Sequence, residues 1–80
     1  MKLRRLPNGD LEITTIKGNI YRAVDLHNGW FNVWDEQREE VIVAIQYLDE
    51  LFETVAYREF IYHCTTLLIH TKFSISHSLK

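Results

Sequence analysis

Short runs of alternating apolar and polar residues, separated by asparagine–glycine pairs, fill the first 34 positions. Helical spacing takes over after them. The pairs are Asn8-Gly9, Gly18-Asn19 and Asn28-Gly29, and they account for all three glycines of the chain. Such pairs suit two-residue hairpin loops, because those turns require positive φ, which Gly and Asn tolerate best. The runs around them, residues 2–6, 11–16, 20–27 and 30–34, predict a four-stranded antiparallel β-meander. Two-residue loops would also set the register. Leu6 would then face Leu11, Ile13 would face Val24 and Leu11 would face Leu26. Across the third turn, Val24 would face Val33 and Leu26 would face Phe31. These residues form one apolar face, on which a helix is expected to pack.

The same alternation puts Leu3, Arg5, Glu12, Thr14, Ile16, Tyr21, Ala23, Asp25, His27, Trp30, Asn32 and Trp34 on the opposite face. A purely solvated face does not normally carry both tryptophans, a tyrosine, Ile16 and Leu3. Patches of this kind mark an interaction site or are covered by the rest of the chain. Both readings stand at the level of sequence, the C-terminal segment being the internal candidate for the cover.

From Asp35 the period changes. Val41, Ala44, Ile45, Leu48, Leu51, Phe52, Val55 and Ala56 recur at helical spacing. Asp35 is placed as the N-cap, with Glu36, Glu39 and Glu40 in the opening turns, where the helix dipole favours negative charge. An amphipathic helix is predicted from residue 36 to at least residue 53, with nothing to stop it short of Ile69. A single rod of that length would measure roughly 50 Å, so the expectation is one long helix or two shorter ones with Thr54 capping the second. Residues 67–75 alternate again and are rich in β-branched types, which suggests a short C-terminal strand. The alternative is a helix ending near His70 and a polar tail. The predicted fold is thus α+β in one domain, residues 1–80.

Composition narrows the function. Hydrophobic content of 46% with 25% charged residues is globular, not disordered. Cys64 is the one cysteine, so no internal disulfide can form, and a reducing, cytoplasmic setting is expected. A net charge of −2 argues against a general nucleic-acid binder. The longest apolar stretch, residues 41–45, is far short of the roughly 20 residues that span a membrane. Charge is unevenly spread: residues 1–34 carry +2, residues 35–59 carry −6 and residues 60–80 carry +2.

Chemistry-bearing patterns are few. His63, His70 and His77 recur every seven residues with Cys64 beside the first, and these are metal-ligand types. On a helix, neighbouring histidines at that spacing stand about 10 Å apart, too far to share one ion. Cys64 next to His63 lacks a third group to orient a base. All three glycines are committed to turns, which leaves none for a phosphate-binding loop. No catalytic site, metal or cofactor is expected.

The opening, Met1-Lys2-Leu3-Arg4-Arg5-Leu6-Pro7-Asn8-Gly9-Asp10-Leu11-Glu12-Ile13-Thr14, resembles the first hairpin of many short phage and mobile-element proteins, over about a sixth of the chain. The resemblance implies a small non-enzymatic effector, such as an inhibitor of a host defence complex. The expected function is accordingly a protein-interaction module whose partner is another protein or a second copy of itself. Its candidate surfaces are the aromatic face, with Arg5, Tyr21, Asp25, His27, Trp30 and Trp34, and an acidic helix face, with Glu36, Glu39, Glu40, Asp49, Glu50 and Glu53. Alternatives are a nucleic-acid-associated protein stacking bases on Tyr21, Trp30 and Trp34 beside the N-terminal arginines, and a homo-oligomeric structural protein.

Overall fold

A computed structural model describes the backbone of residues 1–79 and the side chains of residues 1–65. The fold is α+β: an antiparallel sheet in meander order followed by one helix. The elements are β1 (Lys2–Arg5), β2 (Leu11–Thr14), β3 (Ile20–Asp25), β4 (Phe31–Asp35), β5 (Glu40–Ile45) and α1 (Leu48–Leu79). The sheet therefore has five strands, not the expected four. The fifth is made from residues assigned above to the start of the helix. Val41, Ile42, Val43 and Ile45 are β-branched and fit a pleated surface. A short apolar run satisfies helical and strand periods alike, and here the β-branched content decides.

The hairpin loops are one residue longer than a two-residue turn. Leu6 N–H donates to Asp10 O, Thr15 N–H to Asn19 O and Leu26 N–H to Trp30 O. Each loop thus holds three residues and ends on a glycine at positive φ: Gly9 at 96°, Gly18 at 87° and Gly29 at 91°. In the first two, where the Gly9 and Gly18 N–H groups donate to Leu6 O and Thr15 O, that is the geometry of a turn closed by a left-handed bulge residue, the next commonest hairpin after the two-residue types. The expected pairs are replaced by Arg5↔Leu11 and Leu3↔Ile13, by Leu11↔Ala23 and Ile13↔Tyr21, and by Ala23↔Val33 and Asp25↔Phe31. Leu11, Ile13, Phe31 and Val33 keep their expected inner side. Tyr21 and Ala23 join them, while Val24 and Leu26 go to the other face.

Asp35 is not a helix N-cap. Its carboxylate does accept backbone N–H bonds, from Gln37 at 3.0 Å and Arg38 at 3.2 Å, but these brace the β4–β5 loop. α1 starts twelve residues later than expected, and Glu50 braces that start. Its carboxylate accepts the N–H groups of Gln46 and Tyr47, both at 2.9 Å, half of a capping box. These two bonds hold the Glu50 carboxyl below the usual range. Thr54 caps no second helix; its hydroxyl donates to Glu50 O at 2.7 Å within one continuous helix. Residues 67–75 are part of α1 rather than a strand.

Leu51 and Val55 of α1, one turn apart, are fully buried against Leu11, Ile13, Tyr21, Ala23, Val33 and Ile45. This is the core, and it lies on one side of the sheet. The other side carries no layer among the described residues.

Candidate functional site

Register alone builds the uncovered face. Arg4 opposes Glu12, Glu12 opposes Arg22, Arg22 opposes Trp34 and Trp34 opposes Val41, so one row of side chains crosses all five strands. The row has a polar half and an apolar half. Arg4 pairs with the Glu12 carboxylate at 3.0 Å, and Arg22 Nε lies 3.6 Å from its other oxygen. Trp34 is half-buried, and its indole N–H donates to Glu36 at 2.8 Å. The next row is Val24, Asn32 and Ala44. Beyond it Leu26 and Trp30 close the β3–β4 hairpin, each 41% exposed. Val24, Leu26, Trp30, Trp34 and Val41 therefore form an apolar region at the β3–β5 side, bordered by the Arg4–Glu12–Arg22 charge row.

The residues expected there divide. Trp30 and Trp34 share the uncovered face as predicted, with Asn32 between them. Tyr21 does not: it is fully buried on the helix side, and its hydroxyl donates to Glu59 at 2.7 Å. Burial, then that hydrogen bond to a carboxylate, push the phenol well above its usual value. Arg5 also lies on the helix side, opposite Leu11, beside a small hollow bordered by Phe31 and Tyr47. Asp25 braces a hairpin end: its backbone N–H donates to Asp10 at 2.9 Å and its carboxylate accepts from His27 N–H at 2.8 Å. His27 is an exposed loop residue at φ 60°.

The acidic helix face dissolves for the same reason that β5 exists. Glu36 and Glu39 are loop residues, Glu40 begins β5, and only Asp49, Glu50 and Glu53 stand on α1. His63 and Cys64 are helix neighbours, and the side chains of His70 and His77 lie outside the described residues. Among the described residues no group of three or more His, Cys, Asp or Glu side chains is placed to hold a metal. No helix is long and apolar enough to cross a membrane among those residues.

One assembly was not anticipated. At the end of the sheet where α1 leaves it, Asp35 is fully buried and accepts from the Tyr62 hydroxyl and from Arg58 Nε at 3.2 Å. Arg58 also pairs with Glu40. Burial opposes ionisation of Asp35, but the bonds from Tyr62, Arg38, Gln37 and Arg58 prevail and hold its carboxyl below the usual range. Beside it Glu59 accepts from Asn19 at 2.9 Å and from Tyr21. Burial opposes its ionisation too, and hydrogen bonds from Thr15, Asn19 and Tyr21 outweigh it. The available signal was the stripe Leu51, Val55, Arg58, Tyr62, whose spacing puts an arginine on the sheet-facing side of the helix.

A second concavity, of about 360 Å³, runs between the free edge of β5 and α1, with Ile42, Val43, Thr54, Tyr57 and Ile61 along it. Ile42 is the extra residue where the β4–β5 register shifts. Comparison of the chain with protein-family models, curated proteins and solved structures finds no match.

Proposed function

We propose that this protein is a non-catalytic interaction module that binds another protein through its uncovered sheet face. The observation carrying this reading is the one-sided sheet: α1 covers one face, and the other presents Leu26, Trp30, Trp34 and Val41 together. Tryptophan is among the residues most enriched at binding hot spots, and a ring of polar groups around an apolar centre is the usual anatomy of such a site. The Arg4–Glu12–Arg22 row supplies part of that ring. An effector of the phage or mobile-element type, inhibiting a host complex by occupying one of its surfaces, fits this arrangement.

The test is affinity capture with the chain and its Trp30→Ala/Trp34→Ala variant, followed by binding measurements on whatever partner is identified. Truncating two hot-spot aromatics should weaken binding by 2 kcal/mol or more, roughly thirtyfold. Equal affinity for both proteins would end this reading.

A nucleic-acid reading is favoured by one observation, Trp34 lying directly opposite Arg22 on an open sheet. Against it, Glu12 stands between the two arginines that would meet phosphates. It requires salt-dependent binding of single-stranded oligonucleotides, and absence of binding at low salt removes it.

A further inference from the structure

The chain exposes 6019 Å². A compact monomer of its 9.6 kDa mass exposes roughly 5,100 Å². The excess, about 900 Å², is close to the ~800 Å² that each partner contributes to a standard interface. The radius of gyration, 16.0 Å, likewise exceeds the ~12 Å of a compact domain this long. The source of both is α1, whose 32 residues outrun a sheet of four- to six-residue strands.

The outer flank of this helix is apolar where it starts to leave the sheet. Tyr57 is 65% exposed and Phe60 61%, with Ile61 at the rim of the β5 groove. Tyr57, Ile61 and Cys64 follow the four-then-three spacing that forms the seam between paired helices, and in the sequence Leu68, Thr71 and Ile75 continue it. Residues 60–80 contain only two charged residues, Lys72 and Lys80. Such a segment carries little charge to oppose its own copy.

We propose that a second copy of this chain docks on this flank, the two α1 helices side by side and antiparallel. A parallel pair would set Asp49, Glu50 and Glu53 against their own copies. An antiparallel pair runs the C-terminal part of each helix, to which the sequence gives Lys72, alongside the acidic beginning of the other. Electrostatic complementarity of this kind fixes orientation more than it adds affinity. The β5 groove, with Ile42 and Val43 beside Tyr57 and Ile61, widens the seam. This surface is separate from the Trp30/Trp34 face, so the dimer presents two copies of that face.

The experiment is sedimentation equilibrium of the full chain over a wide concentration range, with Ile61→Glu, Tyr57→Asp and Trp30→Ala variants in parallel. Far-UV circular dichroism checks that each variant is folded; Tyr57 and Ile61 are exposed enough for both charges to be carried. The wild type and Trp30→Ala should run at twice 9.6 kDa. Ile61→Glu and Tyr57→Asp should each weaken self-association about thirtyfold, the loss expected of a hot-spot side chain. A wild type that stays monomeric throughout overturns the proposal. So does a dimer that both charged variants leave intact. A monomer that sediments with phospholipid vesicles assigns the same flank to a lipid surface instead.

Discussion

Asp35 carries its charge out of contact with solvent, and it is satisfied by groups from two elements, the loop that follows it and the helix that arrives 23 residues later at Arg58. Removing one member of a buried charge pair leaves the other uncompensated. Asp35→Ala should therefore cost about 3 kcal/mol, read from urea denaturation. Arg58 keeps some access to water and Glu40 as a partner, which holds the loss near the lower end of the usual range. Titration tells the same residues apart. The folded carboxyls of Asp35 and Glu59 are more acidic than their unfolded counterparts. Their stabilisation is complete above about pH 4.5 and is lost as pH falls through the folded values. Tyr21 has the opposite sign: its folded pKa is raised, so its contribution is complete below about pH 10 and is lost as pH rises. The thermal midpoint should form a plateau between these limits. Glu59→Gln should flatten the acid limb and Tyr21→Phe the alkaline one, and unchanged limbs would contradict these assignments.

At the scale of elements, the turns decide more than the strands do. Gly9 sits at φ 96°, and a methyl group there would approach the Asp25 carboxylate to 3.2 Å. Gly9→Ala should lose about 1 kcal/mol or more for the left-handed backbone alone, measured by the shift in urea midpoint. Leu51→Ala, emptying the centre of the helix–sheet contact, should lose about 3 kcal/mol. The glycines marked the hairpins correctly from sequence, but they did not reveal loop length. Each of the three registers therefore slipped by an odd number of residues, and an odd slip exchanges the two faces of a strand. Relative to β2, β1 and β3 were exchanged once and β4 twice, so Trp30, Asn32 and Trp34 came out right and Tyr21, Ala23, Val24 and Leu26 came out wrong. β5 was hidden because residues 41–45 fit both periods. The Asp35–Arg58–Tyr62 cluster could not be read because it depends on where the helix begins, and that depended on β5.

For the whole molecule, two surfaces stand apart: the Trp30/Trp34 face on the open side of β3–β5, and the apolar flank of α1 with the groove along the edge of β5. They should respond independently. Iodide quenching of tryptophan fluorescence should be dominated by Trp30, the more exposed of the two, and should not change on dilution through the self-association range. Quenching that rises on dilution would mean that the tryptophan face itself is the dimer contact. A last consequence follows from the polar cluster at the sheet's end. Beyond Tyr62 the helix continues for about 26 Å, so the bonds that Asp35 and Glu59 make between sheet and helix stand at the base of a lever. A tilt of about 10° there carries the far end through about 4–5 Å at that rise per residue. A partner bound near the tip would thus be aimed by two carboxylates it never touches.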